Sequence, residues 1–328
     1  MSLSIALCTH NGAAFIEEQL RSICDQTLPP DEIVVSDDAS TDGTTDLIGA
    51  VFRSWQGEHP GQHIDLRILC NETPLGVTSN FEQALAACTG DLIALSDQDD
   101  VWQPARLEIM VAEFKRRPEL GLLHSDARLV DAAGAPFGQT LLAALGVSSS
   151  NRAEVHDGGA FGVLLRRNIV TGATTILRRE VVERSRPFPE SWVHDEWLAM
   201  VAAATSGVDL IEVPLVDYRQ HSGNQIGASS LDAAGKLGRL SAPRTARNQR
   251  LLARAEALHS RAPGFTPQPS AENLRLIDAK LAHERVRSAL PAARLRRMRP
   301  IVLELWSGRY HRYGLGLHDV LRDLVQPV

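Results

Sequence analysis

The first part of the chain alternates short apolar runs with helical patterns of about ten residues. The apolar runs lie at residues 2–8, 32–36, 65–70 and 92–95. Short strands that alternate with helices predict a mainly parallel, right-handed α/β sheet. In such a sheet, ligands bind at the edge where the strands have their carboxyl ends. We therefore expect any ligand site of this chain at that edge.

Polar side chains follow three of these four runs. They are Thr-His-Asn at 9–11, Asp-Asp at 37–38 and Asp-Gln-Asp-Asp at 97–100. Parallel strands bring these clusters to one edge, so they are predicted to converge on one ligand. Buried carboxylates are costly without a partner, and oxygen ligands suit Mg²⁺ or Mn²⁺ on the phosphates of a nucleotide. Taken alone, the cluster at 97–100 could also be a solvated acidic turn.

Several common site motifs are missing from the sequence. The chain has no GxGxxG, no GxxxxGK[ST], no GxSxG and no HExxH. This argues against dehydrogenases, P-loop enzymes, α/β-hydrolases and zincins. The four cysteines form no CxxC pair and are expected to be reduced core residues of a cytosolic protein. No apolar run reaches about 18 residues, so no membrane span is predicted.

Six short motifs follow one another between residues 8 and 221. They are Cys-Thr-His-Asn at 8–11, Val-Ser-Asp-Asp-Ala-Ser-Thr-Asp-Gly-Thr at 35–44, Ser-Asp-Gln-Asp-Asp-Val-Trp at 96–102, Thr-Gly-Ala-Thr at 171–174, His-Asp-Glu-Trp-Leu at 194–198 and Tyr-Arg-Gln-His at 218–221. Together they resemble family 2 glycosyltransferases of the GT-A fold. Two of the motifs are similar to bacterial rhamnosyltransferase-like members acting on surface polysaccharides. The resemblance covers about residues 1–225 and implies a Rossmann-like, mixed but mainly parallel α/β sheet.

The resemblance also implies roles for single residues. Nucleotide contacts would come from Thr9, His10, Asn11, Asp38, Asn80 and Asp97. Asp38 would accept a hydrogen bond from the imide N–H of uracil or thymine. This pairing is chemically consistent, because an ionised carboxylate only accepts hydrogen bonds and the ring N–H is a donor. The metal ligands implied by the resemblance are Asp99 and His221, with Mg²⁺ or Mn²⁺ as the ion.

Asp195 is the predicted general base. It lies at the predicted start of a helix, and an inverting transfer needs a carboxylate that takes a proton from the acceptor hydroxyl. Glu196 is the second candidate for this role. The alternative is that Asp195 only stabilises the helix N-terminus through the dipole. Three tryptophans could pack inside the protein or face a sugar ring, namely Trp102, Trp192 and Trp197.

Charge divides the chain into two parts. Residues 1–235 contain 16 Lys/Arg and 33 Asp/Glu, whereas residues 236–328 contain 18 and 7. We predict a GT-A domain at 1–228 and an arginine-rich helical extension at 229–328. No nucleic-acid module is recognisable, so an anionic membrane surface is the favoured partner of the extension. A helical face whose arginines pair with the acidic first part of the chain is the equal alternative.

The secondary structure between the two parts is less regular. Residues 132–160 are predicted to be a long loop or a loosely helical insertion. Residues 169–177 are predicted to be a strand, and residues 210–220 two short strands interrupted by Pro214.

The predicted function is inverting transfer of rhamnose or a hexose from a dTDP- or UDP-sugar. The acceptor would be a hydroxyl of a cell-surface glycan or a lipid-linked sugar, handled in the cytoplasm or at the inner face of the membrane. Two other classes of function are also consistent with the sequence. One is a catalytically silent module that binds a sugar nucleotide, and the other is a nucleotidyltransferase, although Thr-His-Asn-Gly at 9–12 is not the Gly-rich basic loop that class would need.

Overall fold

The computed structural model describes residues 1–221 and 243–327. The described residues form two compact units. The first contains residues 1–158 and 170–221, and the second contains residues 159–169 and 243–327. The predicted domain boundary at 228 and 229 lies outside the described residues.

The described part of the first unit contains a nine-stranded sheet. Its strands are β1 (Leu3–Thr9), β2 (Glu32–Asp37), β3 (Asp65–Cys70), β4 (Leu92–Ser96), β5 (Val101–Trp102), β6 (Leu120–Val130), β7 (Pro136–Thr140), β8 (Thr175–Arg178) and β9 (Gly207–Arg219). Their order is β3-β2-β1-β4-β8-β6-β9-β5, and β7 pairs with β6. The strands β3, β2, β1 and β4 are parallel, β8 is antiparallel to β4 and β6, and β9 is parallel to β6. The predicted mixed, mainly parallel α/β sheet is confirmed.

Helices of the first unit cover this sheet. They are α1 (Ile16–Cys24), α2 (Thr44–Glu58), α3 (Val77–Ala87), α4 (Arg106–Arg116), α5 (Leu141–Ala144), α6 (Ser149–Glu154), α8 (Arg179–Ser185) and α9 (His194–Thr205). Every residue of β1, β2 and β4 is buried. Parallel strands covered on both faces read as continuous apolar runs, which is why these three are visible in the sequence.

The register of the parallel strands decides where the polar clusters lie. Thr9 is paired with Asp37, and Leu7 is paired with Ser96. The polar residues after β1, β2 and β4 therefore leave the sheet at one edge, where the sequence predicted that they converge.

Three local predictions differ from the structure. Residues 207–219 form one strand, and Pro214 lies at a register shift of this strand against β6, where a proline is tolerated. Residues 132–160 include α5, α6 and a segment (Val155–Gly159) that is kinked at Gly158, so the loosely helical form holds in part, but the strand β7 was not predicted. The strand predicted at 169–177 begins only at Thr175, because a 3₁₀ turn (Gly172–Thr174) precedes it.

The second unit is helical, which confirms the predicted helical extension. It contains α7 (Ala160–Arg166), α10 (Arg244–Arg261), α11 (Ala271–Ser288), α12 (Arg294–Trp306), α13 (Arg309–Tyr313) and α14 (Leu317–Val325). No helix in the described ranges combines the length and apolar character needed to cross a bilayer.

A buried carboxylate fastens the starts of β1 and β2 to the loop before β4. Glu32 accepts hydrogen bonds from Ser4 Oγ, from Thr89 Oγ1 at 2.9 Å and from Arg67 Nη2 at 2.7 Å. Burial opposes ionisation of Glu32, but the hydrogen bonds outweigh it and lower the pKa of Glu32 to about 2. Glu32 therefore stabilises the fold in its charged form.

Replacement of this carboxylate should destabilise the fold in a pH-dependent way. We expect Glu32→Gln to lower the free energy of unfolding by about 1–3 kcal/mol at pH 7. The folded pKa lies below the unfolded value of about 4.5, so this stabilisation is complete above that pH and is lost as the pH falls towards 2. Urea unfolding followed by tryptophan fluorescence should show less than half of the difference at about pH 3.

Glu72→Gln is the matched control, because Glu72 is exposed. Its effect should stay within about 0.5 kcal/mol at both pH values. An equal loss for Glu32→Gln at both pH values would contradict the assigned role of its charge.

Candidate active site

A cleft of about 200 Å³ opens at the carboxyl ends of β1, β2 and β4. Its lining residues are Cys8, Thr9, His10, Asp38, Val77, Asn80, Phe81, Asp97, Gln98, Asp99, Thr171, Gly172, Val193, His194, Asp195 and Tyr218. The predicted nucleotide contacts, metal ligands and general base are among them except Asn11 and His221, and the second candidate base, Glu196, does not line the cleft. The cleft therefore brings together residues that are far apart in the sequence.

The loop after β1 is fastened to the loop after β4. The His10 N–H donates to Gln98 Oε1 at 2.8 Å, and Gln98 Nε2 donates to the His10 carbonyl at 3.1 Å. A Cβ on Gly12 would lie 2.3 Å from Gln98 Oε1, so a larger residue at position 12 would displace the Gln98 side chain. Asn11 has a φ of 50° and accepts a hydrogen bond from the Thr41 N–H at 2.9 Å, which places it in the turn beside the cleft.

Asp37 and Asp38 serve different loops. Asp37 Oδ2 accepts from Thr9 Oγ1 at 2.6 Å, and Asp37 Oδ1 accepts from the Ser40 N–H at 2.8 Å. The Asp38 carboxylate accepts from the N–H groups of Leu75 at 2.6 Å and Gly76 at 2.9 Å. Asp37 therefore organises the turn after β2, whereas Asp38 faces the cleft and holds the loop before α3.

Asn80 lines the cleft, but its amide is already engaged. Asn80 Oδ1 accepts from Ser36 Oγ at 2.6 Å, and Asn80 Nδ2 donates to the Ser36 carbonyl at 2.9 Å. Only 3% of Asn80 is exposed. In this structure the amide links α3 to β2.

The carboxylates after β4 concentrate negative charge. Asp99 Oδ2 lies 2.7 Å from His221 Nε2, and Asp100 Oδ1 accepts from the Arg219 N–H at 3.0 Å. Burial and the neighbouring charges of Asp99 and Asp195 raise the pKa of Asp97 to about 7. Burial followed by the charges of Asp99 and Asp97 also raises the pKa of Asp100. A cation beside these groups would relieve their mutual repulsion.

Arg219 holds this acidic loop in place, although no role could be assigned to it from the sequence. Its side chain is 3% exposed, and Nε donates to the Asp99 carbonyl at 2.7 Å. Nη1 donates to the Ala132 carbonyl at 2.9 Å, and Nη2 pairs with Glu18 at 2.6 Å. The Tyr-Arg-Gln-His motif was the available signal, but its arginine reads as an ordinary charged residue until its burial is known.

Asp195 lies in the first turn of α9, opposite the acidic loop. Asp195 Oδ2 accepts from the Gly172 N–H at 3.1 Å, and Asp195 Oδ1 accepts from the Glu196 N–H at 2.7 Å. These backbone groups orient the carboxylate in the cleft. A carboxylate held in this way can accept a proton from a hydroxyl that enters the cleft.

Aromatic side chains close the wall beside Asp195. His194 stacks on Phe81 with the ring centroids 3.9 Å apart, and burial lowers the pKa of His194 to about 3. Its imidazole is therefore neutral at pH 7. Trp102 and Trp197 are 2% and 0% exposed, so both are packing residues and neither presents a face to a sugar.

Donors of the kind that a hard divalent cation takes lie at the acidic loop and just after β9. Asp99 supplies a carboxylate oxygen, His221 supplies an imidazole nitrogen, and Asp97 lines the same cleft as Asp99. Mg²⁺ and Mn²⁺ bind through one or two carboxylates and complete their coordination with water and phosphate oxygens. Within residues 1–221 and 243–327, no group of three or more His, Cys, Asp or Glu is arranged as a complete metal site.

Comparison with known proteins agrees with this geometry. Residues 4–130, which contain β1 to β4 and the acidic loop, match the family model for Glycosyl transferase family 2. Over these residues the chain is similar to family 2 glycosyltransferases. The family resemblance seen in the motifs is thereby confirmed.

Proteins similar to this chain occur in several bacteria. An uncharacterized protein of Mycobacterium tuberculosis is 27% identical over 224 residues, which cover 67% of this chain and 59% of that protein. An uncharacterized glycosyltransferase of Nostoc sp. is 32% identical over 38% of this chain and 36% of its own length. The chain thus spans 59% of the length of the mycobacterial relative.

Solved structures show the same fold. TarS of S. aureus in complex with UDP-GlcNAc aligns with a TM-score of 0.59 at 15% identity, over 94% of this chain and 81% of TarS 1–349. A mannosyltransferase of Pyrobaculum calidifontis in complex with GDP-Man and Mn²⁺ aligns with a TM-score of 0.50 at 20% identity, over 93% and 75% of the two chains. At these identities the similarity establishes the GT-A fold.

Proposed function

We propose that the chain is an inverting glycosyltransferase that moves a sugar from a nucleoside-diphosphate sugar to an acceptor hydroxyl. The observation that carries this proposal is a single cleft that contains both the acidic loop with Asp99 and the oriented carboxylate of Asp195. The acidic loop would hold the cation that binds the diphosphate, and Asp195 would supply the base. The match of residues 4–130 to the family model for Glycosyl transferase family 2 supports the same reaction class.

The nucleotide would lie between the loops after β1 and β2. Asp38 Oδ2 accepts one hydrogen bond, from Gly76, and a carboxylate oxygen can accept two. The free lone pair suits the imide N–H of uracil or thymine, so a UDP-hexose or dTDP-rhamnose is the proposed donor. Thr9 and Asn80 would shape the floor of this subsite, because their own polar atoms are bonded within the protein.

Asp99 and His221 are the residues that would hold Mg²⁺ or Mn²⁺. When bound, the ion would neutralise the charge of the departing nucleoside diphosphate. The Mn²⁺ complex of the similarly folded mannosyltransferase supports a divalent ion in this role. In the protein itself, Arg219 would keep Asp99 at the mouth of the cleft by holding its carbonyl.

Asp195 would act on the acceptor. Its carboxylate takes the proton of the acceptor hydroxyl while that oxygen forms a bond to the anomeric carbon. The bond from the anomeric carbon to the diphosphate oxygen breaks on the opposite side, so the configuration is inverted and no covalent enzyme intermediate forms. A glycan or a lipid-linked sugar is the proposed acceptor.

A binding experiment tests the donor half of this proposal. We expect UDP or dTDP to raise the melting temperature only when Mn²⁺ or Mg²⁺ is present, with GDP as the comparison base. Asp99→Ala should remove the metal-dependent part of the shift, because it deletes the proposed oxygen ligand. The exposed Asp46 offers a matched control, and Asp46→Ala should leave the shift unchanged.

Two results would argue against the proposal. A nucleotide shift that is independent of metal and survives Asp99→Ala would place the nucleotide elsewhere. Binding without any release of nucleoside diphosphate from UDP- and dTDP-sugars, across a range of glycan and lipid-linked acceptors, would favour a silent binding module.

A further inference from the structure

Helix α14 in the second unit buries its acidic residues and exposes its apolar residues. Its two acids, Asp319 and Asp323, are 1% and 0% exposed. Its exposed apolar residues are Leu317, Leu321 and Val325. Their spacing of four puts these three on one side of the helix. A helix that only covers a water-soluble core shows the opposite arrangement.

Helix α12 shows the same reversal. Its charged residues Arg297 and Glu304 are buried, whereas Trp306 is 82% exposed and Leu295 is 83% exposed. Met298, Val302 and Leu303 are also exposed. We call these five residues and the three of α14 the apolar face.

The ion pairs of the buried acids explain why α12 and α14 point their apolar residues towards the solvent. Asp323 pairs with Arg287 at 2.7 Å, and Asp319 pairs with Arg247 at 2.6 Å. A buried ion pair that loses one partner costs several kcal/mol, so these contacts fix the rotation of α14. Glu304 of α12 is fixed in the same way, because it contacts His283 at 2.7 Å.

The exposed rows of α12 and α14 belong to one surface. Leu305 of α12 and Val320 and Leu324 of α14 pack against a common small cluster that includes Tyr310. Each of these three partly buried residues is three or four positions from members of the apolar face, so each lies on the adjoining side of its helix. The exposed apolar residues of α12 and those of α14 therefore lie next to the same small cluster.

The charge beside this face has one sign. The exposed arginines of α12 are Arg294, Arg296 and Arg299. All acids between residues 290 and 327 are buried, namely Glu304, Asp319 and Asp323. A second copy that docked through the same face would bring arginines against arginines, because the acids of this segment are buried. An anionic surface has the complementary charge.

We propose that the apolar face and its arginines dock on the surface of an anionic lipid bilayer. Tryptophan favours the membrane interface, and apolar helix faces bordered by arginine bind there without spanning the bilayer. Such docking would bring the chain to a lipid-linked acceptor. It does not depend on the proposed transfer reaction, because binding is measured without turnover.

Vesicle sedimentation of the full chain tests this proposal. We expect binding to phosphatidylcholine vesicles that contain phosphatidylglycerol, and much weaker binding to phosphatidylcholine alone. The double variant Trp306→Ser with Leu317→Ser should weaken binding by at least about tenfold, because it removes two large apolar side chains from the face. The double variant Arg296→Gln with Arg299→Gln should weaken binding to the anionic vesicles by about tenfold or more.

Val213→Ser is the matched control, because Val213 is exposed but belongs to the first unit. It should bind like the unchanged chain, and circular dichroism should show that every variant keeps its helix content. Failure to bind either vesicle, equal binding to both, or binding unaffected by Trp306→Ser with Leu317→Ser would overturn the proposal. So would a dimer that this double variant dissociates in the absence of vesicle binding, because the face would then cover a second copy.

Discussion

Asp195→Asn is expected to lower kcat for sugar transfer by about 100- to 10,000-fold and to change the nucleotide affinity by less than about twofold. Asparagine has nearly the same shape as aspartate, but its amide does not take a proton from an acceptor hydroxyl. Its carbonyl oxygen can still accept one of the two backbone N–H groups that orient Asp195. The variant should therefore fold and bind the donor.

Glu196→Gln is the informative comparison, since Glu196 is the neighbouring carboxylate and the other candidate base. We expect this variant to retain most of the transfer activity. Rates measured side by side at saturating donor would separate the two roles. Full activity of Asp195→Asn, or a larger loss for Glu196→Gln, would show that Asp195 is not the base.

Arg219→Met should have the largest effect on stability. We expect it to lower the free energy of unfolding by about 2–5 kcal/mol and to abolish metal-dependent nucleotide binding. Methionine keeps much of the side-chain volume but has no donors, so the buried Asp99 carbonyl and the Ala132 carbonyl lose their partner. The loop that carries Asp99 would then be free to leave its present position.

Arg128→Met is the control for this experiment. Arg128 also pairs with an acid of β9, Asp217, but its side chain is 53% exposed. Exposed ion pairs contribute little, so we expect a loss of about 1 kcal/mol or less and normal nucleotide binding. Urea unfolding and nucleotide titration of both variants would test the difference. Similar losses for the two arginines would mean that Arg219 does not act through the acidic loop.

The sequence predicts well those features that depend on local pattern. The strands β1, β2 and β4 are buried on both faces, so they appear as uninterrupted apolar runs. Because parallel strands have their carboxyl ends at one edge of the sheet, the polar residues that follow β1, β2 and β4 must lie at the same edge. The cleft lies at this edge. Asp97, Asp99 and Asp195 line this cleft.

Features that depend on distant partners were not predictable in this way. Arg219 looks like any charged residue until its contact with the Asp99 carbonyl is known, 120 positions away. The break expected at Pro214 does not occur, because its position in the β9 register depends on β6. In the extension, only the structure shows that Arg287 pairs internally while Arg294 is exposed. Arg287 pairs with Asp323 of the extension itself, and an anionic surface as the partner of the exposed arginines stays a prediction.

The most direct test of the proposed site is a crystal of the chain soaked with UDP and Mn²⁺, with anomalous diffraction used to locate the manganese. The proposal predicts one manganese peak at the Asp99 carboxylate, with the uracil ring beside Asp38. Manganese and nucleotide bound together at another place, with the cleft empty, would contradict the proposed active site.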